Sequence, residues 1–438
     1  MTNSHLVHVM QSVMKTVLLA LLLTGFSAMT ALAQTTPAPR QSQPVALVGG
    51  TIHTLAGEAI ENGTILFEDG IITAIGVDIA LPEGTLTEDV TGRHIYPGLI
   101  DGWSQLGLFE IGAVDMTVDV NEQGPVNPNV MAERAFHPES RHIAVARSAG
   151  ILTAVSSPGG GLVSGQSAAM ALDGWAWDEM TVRARVAMMV NWPNPNNARA
   201  YSGQVDELRA AFADARAYKQ AFDAAVAGNA VRPGFDSRWH AMMEVFDRDQ
   251  PVVVSANEVR AMQDAITWAS EENIRIILLG GRDAHLITDH LRETDTPVLI
   301  TSVQASPSRW WESYHAWYEL PRQLHEAGVT FAIVGTSSAA NANRLPFEAG
   351  TAAAFGLPLD EALKSLTVYP ALILGLDDVI GSLEPGKHAS LMITDGNPVE
   401  YATQVLQVYV RGRKSDMNDA HKELYQRYLQ KVQEYQGE

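Results

Sequence analysis

The chain has 438 residues, 46% hydrophobic and 18% charged, with a mean hydropathy of -0.02, a soluble globular composition rather than that of a disordered or multi-span membrane chain. Thirty Lys and Arg against fifty Asp and Glu leave a net charge of -20, the wrong sign for a phosphate backbone, so no nucleic-acid partner is expected. There is no cysteine, which excludes disulfides, thiolate metal sites and a cysteine nucleophile.

Residues 1–33 have the three parts of a secretory signal peptide: Lys15, the apolar run Val17 to Phe26, and small residues ending Ala31-Leu32-Ala33 before Gln34. The run is shorter than the roughly 20 apolar residues a membrane span needs. Export is the expectation, to a bacterial periplasm, with no membrane attachment once the signal is cleaved. Removing the segment takes one lysine and no acid, leaving -21. Residues 34–44, rich in Thr, Pro and Gln, read as a flexible linker.

From Val45 to Gly76, short β-branched runs are broken at Asn62-Gly63 and Asp69-Gly70, favoured hairpin dipeptides. A similar signature returns in ASLMITDGNP and QVLQVYVRGR near the far end, so residues 45–97 and 381–415 are expected to pair into one small β-sandwich domain. The middle, 98–380, is then an insert in which apolar β-runs alternate with helical stretches: HIYPGLID, ILTAVSS, VRARVAMMV, PVVVSAN, IRIILLGG, TPVLITSV and TFAIVGTSS. That alternation predicts an α/β fold with a parallel sheet buried on both faces. If the sheet closes into a barrel, its chemistry belongs at the C-terminal strand ends. Residues 416–438 read as a charged, amphipathic terminal helix.

The segments GRHIYPGLID at 92–101 and GSLEPGKHASLMITDGNP at 381–398, with the helix EALKSLTVYPALILGL at 361–376, resemble the amidohydrolase superfamily, most closely its imidazolonepropionase-like members. The resemblance covers nearly the whole processed chain. It implies a TIM-like (β/α)8 barrel with a β-sandwich made from both chain ends, and a metal-dependent hydrolase of carbon-nitrogen bonds other than peptide bonds. In that family two histidines one residue apart follow the first strand; the matching positions are Trp103 and Gln105. The fifth-strand histidine falls on Ser255, the sixth-strand one on Gly280 or Gly281, and the eighth-strand aspartate on Ser337. A bridging carboxylated lysine has no candidate, because Lys219 is the sole lysine between Asp101 and Ser338. By this resemblance the metal ligands and the general base are lost, and no cofactor is expected.

A relocated metal site has one weak candidate. Asp283, His285 and Asp289 follow the sixth strand, and His285 and Asp289 have the i, i+4 spacing of a helix-borne pair. Zinc there would restore a rearranged hydrolase acting on a cyclic amide or small peptide-like substrate. The plainer reading makes this segment a loop and first helical turn. His137 and His142, five apart, share no helix face, and His388 is read as structural. The Gly-rich run Ser156 to Gly161 lacks the Lys-Ser/Thr of a phosphate-binding loop and reads as a mobile loop at the barrel mouth. Trp310, Trp311, Tyr314, Trp317 and Tyr318 either roof a pocket or pack a helix, with packing favoured.

Two functions therefore stand side by side. In the first, the barrel mouth binds a small molecule or a related amidohydrolase subunit without metal hydrolysis, through Trp103, Gln105, Gln166, Asn257, Arg282, Asp283 and Ser337, all placed at or just after strand ends. In the second, the chain is a metal-dependent hydrolase using the Asp283, His285, Asp289 set.

Overall fold

Strands β1 (Val45–Ile52), β2 (Ile60–Glu68), β3 (Ile71–Gly76), β4 (Leu86–Asp89) and β5 (His94–Pro97) open the fold. The computed structural model describes residues 36–336 and 338–436; the proposed signal segment and Ser337 lie outside the described residues. Asp69 and Gly70 both have positive φ and join β2 to β3 in a two-residue hairpin, the backbone such a turn requires. Asn62-Gly63 is not a turn. It lies inside β2, with Asn62 at φ 51°, where the β1–β2 register shifts in a bulge. A side chain at Gly63 would sit 2.7 Å from Ile52.

The wall strands follow: β6 (Leu99–Ser104), β7 (Ile151–Ser156), β8 (Val163–Gln166), β9 (Ala168–Ala171), β10 (Thr181–Arg183), β11 (Met188–Asn191), β12 (Val252–Ala256), β13 (Ile276–Gly280), β14 (Val298–Thr301) and β15 (Phe331–Val334). The last strands, β16 (Leu391–Thr394), β17 (Val405–Val410) and β18 (Arg413–Lys414), return to the first sheet, where β16 pairs antiparallel with β5. That sheet runs β18-β17-β16-β5-β1-β2-β3, with β4 beside β1, around a core of Leu47, Ile65, Phe67, Ile95, Leu391 and Tyr409.

Strands β11 to β15 are parallel neighbours in chain order, and β6 pairs parallel with β7. Hydrogen bonding divides the wall into two sheets, β10-β9-β7-β6 and β15-β14-β13-β12-β11-β8. The chain from Val163 to Ala171 belongs to both: β8 runs antiparallel to β11, β9 antiparallel to β7, and only Ser167 separates them. Ser167 is bonded in both directions to the segment before β11, donating its amide to Ala187 and accepting from Val186. At the other edges, the Gly335 amide after β15 donates to the Asp101 carboxylate of β6 at 2.7 Å.

Alternation along the wall strands explains why both faces are buried. Ile277, Leu279, Val253, Leu299, Ala332 and Val334 join one apolar cluster, with Ile100, Val155 and Met189. Their neighbours Ile276, Leu278, Val252, Val254, Val298 and Ile300 join the other, packed with the helices. The helix Val259–Glu272 shows the complementary pattern, burying Met262, Ala265, Ile266, Trp268 and Ala269 and ending at Asn273 in a left-handed conformation. No helix among the described residues is long and apolar enough to cross a membrane.

Two terminal expectations change. The lead-in is held from residue 38 onward: Ala38 is buried and donates to Asp173, Gln41 bonds Phe67 and Gly70, and Arg40 pairs with Glu179. The terminal helix begins at Ala420, not at 416, because the Asp419 carboxylate accepts the His421 and Lys422 amides and caps it there.

Candidate functional site

The C-terminal ends of β6 and β12 to β15 converge on one face of the wall. Trp103 is partly buried against the interior cluster of Ile100, Val155 and Val334, with its indole Nε1 buried and unbonded. Gln105 lies one residue beyond β6, its amide near Gly159. Ser255 is half-buried in β12 and its carbonyl accepts the Trp192 amide. Gly280 and Gly281, at φ 99° and 63°, turn the chain off β13; a Cβ at Gly280 would sit 2.5 Å from Asn257 Oδ1, so the tight approach of Asn257 requires glycine.

Beneath Trp103, Asp101 is fully enclosed. Its Oδ1 accepts the Gly335 amide and, at 3.4 Å, the Trp103 amide. Burial pushes its carboxyl up to about 6, against the opposing pull of those hydrogen bonds and of Ser104.

Asp283 follows the glycine pair and is buried. Arg309 meets it with a two-pronged hydrogen bond of 2.9 and 3.0 Å, which raises the guanidinium further above its ordinary range. Arg282 donates to Ser308 at 2.7 Å and to Glu258 at 3.4 Å. Its Nε lies 3.8 Å from Glu312 and 3.9 Å from Asp283 but makes no hydrogen bond. Arg309 also lies 3.6 Å from Glu258 and 3.4 Å from Glu312. Two arginines and three carboxylates thus form one network. Arg309, Glu258 and Glu312 escaped the sequence reading; the available signal was the i, i+3 spacing of Arg309 and Glu312 just after β14.

Beside this network a cavity of about 260 Å³ is lined by Arg282, Asp283, Trp311, Glu312, Trp317 and Glu319, among others. Trp310 is 95% exposed, and Trp311 and Tyr314 are also exposed, so the packing expectation fails for these three. Trp317 and Tyr318 do pack on the core. Both lie in the first turn of the helix Ala316–Glu326, whereas the other three precede it.

The remaining expected site residues separate. Asn257 is exposed and its Oδ1 accepts the Arg282 amide at 3.4 Å, which leaves it beside the network. Gln166 is at the wrong end of the wall. Because β8 runs antiparallel, Gln166 pairs with Met188, the first residue of β11, and its side chain bonds Pro128 and Gln250 in the buried interior. The Asp283, His285, Asp289 set does not assemble: His285 is exposed in the short turn Ala284–Leu286, a new helix begins at Thr288, and Asp289 is exposed and paired with Arg292 at 2.8 Å. The Gly-rich loop is fastened, with Gly159 bonded to Val120 and the Asn191 amide reaching the carbonyls of Gly160 and Gly161. A larger cavity, about 560 Å³, lies at the opposite strand ends near Pro251, Arg275, Pro297 and Thr330, away from these residues.

The donor chemistry at the strand ends does not fit a divalent metal. Trp103 offers only an N–H donor, Gln105 a neutral carbonyl, and the glycines no side chain at all. Asp283, the buried carboxylate just beyond β13, has both oxygens engaged by Arg309. Among the described residues no group of three or more His, Asp or Glu is arranged to hold a metal ion.

Comparison with known proteins places this architecture. The model of the amidohydrolase family matches residues 176–418, and the chain belongs to that family. The amidohydrolase tasK of Hapsidospora irregularis is 21% identical over 386 residues, covering 80% of this chain. N-substituted formamide deformylase of Arthrobacter pascens is 38% identical over 92 residues, 20% of this chain. The chain spans only 39% and 16% of the length of these two relatives. The crystal structure of an amidohydrolase from Thermotoga maritima MSB8 superposes with a TM-score of 0.78 at 25% identity, over 84% of this chain and 99% of that one. Phenylurea hydrolase B shares the fold alone, with a TM-score of 0.53 at 15% identity over 86% of this chain and 97% of that one.

Proposed function

We propose that this is an exported member of the amidohydrolase family whose mouth binds a small molecule without metal-dependent hydrolysis. The two wall sheets, linked through Ser167 on one side and Asp101 with Gly335 on the other, are read as a TIM-like (β/α)8 barrel with one antiparallel strand. The observation that carries the proposal is the fate of Asp283. A hydrolytic metal needs about three free nitrogen or oxygen ligands around an open position, and the buried carboxylate at the right place is bound by Arg309 instead. Trp103, from the first strand, packs on the interior apolar cluster where the resemblance puts a metal-binding histidine. An open cavity lies beside Trp311 and Trp317, lined by charged groups of both signs and by these two indoles, a composition suited to a small polar ligand. A related amidohydrolase subunit is the other partner this mouth would suit.

Family membership alone supports a second reading, a hydrolase of non-peptide carbon-nitrogen bonds with zinc bound by a rearranged ligand set. Elemental analysis separates the two. The protein is produced with zinc and manganese supplied and purified without chelator. The binding reading expects well under a tenth of an equivalent of either metal, together with ligand-induced thermal shifts that Trp311→Ala abolishes. One or two equivalents surviving dialysis would overturn it in favour of the hydrolase.

A further inference from the structure

The terminal helix Ala420–Gln436 is a placed arm with an uncovered apolar stripe. Its root is built into the body: Asp419 is buried, accepts the Ser148 hydroxyl at 2.7 Å, and caps the first turn, while Arg147 bonds the Asp416 carbonyl. These bonds hold the Asp419 carboxyl below its ordinary range despite its burial. Beyond Glu423, every residue to Gln436 is exposed. Leu424, Tyr425, Tyr428, Val432 and Tyr435 fall within about 100° of one another around the helix axis, and Leu429 borders them. The three tyrosines are 63, 61 and 70% exposed. A 17-residue helix of this Gln- and Glu-rich composition is marginal in water by itself.

We infer that this stripe pairs with the same stripe of a second copy of the chain, the two helices running antiparallel about a two-fold axis near Gln430. Two observations choose that occupant. The six stripe residues together expose at most roughly 700 Å² per helix, a ceiling of the same order as what each partner buries in a standard stable interface, and tyrosine is a favoured interface residue. The charges also choose the direction. Arg427 and Glu434 are seven residues apart and so lie on one flank of the stripe. In a parallel pair the two copies of this flank lie on opposite sides of the seam, so Arg427 and Glu434 would not meet. An antiparallel copy sets Tyr425 opposite Tyr435 and Tyr428 opposite Val432, and brings each Arg427 to within one residue's rise, about 1.5 Å, of the level of Glu434 of the other chain, the self-complementary contact that a two-fold interface requires.

The test is sedimentation equilibrium of the purified protein across roughly 1 to 100 μM at about 0.15 M salt, conditions in which surface charges are partly screened. A species of twice the chain mass is expected. Tyr428→Glu with Val432→Glu should leave a folded monomer that loses no more helical circular dichroism than the terminal helix supplies, since neither residue is buried within one chain. Arg427→Glu should weaken association at least threefold, and adding Glu434→Arg should restore it, because the swap re-creates the pair only between antiparallel copies. A monomer throughout the range, or a dimer that survives the double glutamate variant, overturns the proposal. So does a monomer that partitions through this helix onto phosphatidylglycerol vesicles, and failure of the charge swap to rescue overturns the antiparallel register.

Discussion

The Gly335 amide donates to Asp101 Oδ1 at 2.7 Å, joining the two strands that border the unpaired edges of the wall. The same carboxyl is fully buried, and burial dominates: the native state holds the proton up to about pH 6, whereas an unfolded chain releases it near pH 4. Between those values unfolding releases a proton, so this group's contribution to stability is complete below about pH 4 and is lost as the pH rises through 6. The full loss is on the order of 3 kcal/mol. Asp101→Asn keeps an oxygen for the Gly335 amide but cannot ionise. Urea midpoints of parent and variant should converge near pH 4 and separate in favour of the variant by pH 7. A constant gap across that range would mean Asp101 does not titrate there.

Arg309 makes the opposite kind of contact, a bidentate pair with a buried partner. Truncating it strands the Asp283 charge, because Arg282 Nε stays 3.9 Å away without a hydrogen bond and the other Arg282 nitrogens bond Ser308 and Glu258. Arg309→Ala should cost roughly 3 to 5 kcal/mol in denaturant unfolding. Arg309→Lys should recover only part of that, since an ammonium cannot present two parallel donors. A cost below about 1 kcal/mol would show that the network is solvated and replaceable.

Much of the wall was legible because a strand buried on both faces writes itself as an unbroken apolar run, as in Ile276 to Leu279, and the helix after β12 carries the complementary period of 3.6. Direction is not written that way. Nothing in VSGQS distinguishes an antiparallel strand from a parallel one, so Gln166 was placed at the mouth when its pairing with Met188 puts it at the far end. Asn62-Gly63 has turn chemistry, but the same left-handed backbone serves a bulge when the pairing on both sides continues. The strand-end positions of Trp103 and Asp283 were readable from spacing. The Arg309 pairing was not, because it spans 26 residues and depends on how the loop after β14 folds back over β13.

Trp103 tests whether the first-strand position is packing or a ligand surface. It is partly buried against the interior cluster, with its indole nitrogen unbonded. Full truncation of a core tryptophan costs about 3 to 5 kcal/mol; for this partly exposed one, Trp103→Ala should cost on the order of 2 to 3 kcal/mol. Trp103→Phe should recover most of it, since no hydrogen bond is lost. A neutral alanine variant that loses ligand-induced fluorescence change would instead make Trp103 a contact residue of the binding site.

Glu179 provides an acid-side counterpart far from the mouth. Its Oε1 accepts from Arg40 and Arg413, and its Oε2 from the Trp175 amide, with the Arg413 bond the leading cause of a carboxyl drawn down to about 2. Because the native value lies below the unfolded one, its stabilisation is present above about pH 4.5 and is lost as the pH falls toward 2. Arg411, whose side chain bonds the Glu179 carbonyl, is held below its ordinary range by burial first and by Arg413 and Arg40 as well, so removing the carboxylate leaves three guanidinium groups facing one another. Glu179→Gln should therefore lower Tm by several degrees at pH 7, and the gap should close progressively between pH 4 and 2. This runs opposite in pH to the Asp101 effect, so one stability profile of each variant from pH 2 to 8 separates the two carboxyls. A Glu179→Gln gap that persists unchanged to pH 2 would assign the loss to packing rather than to the charge.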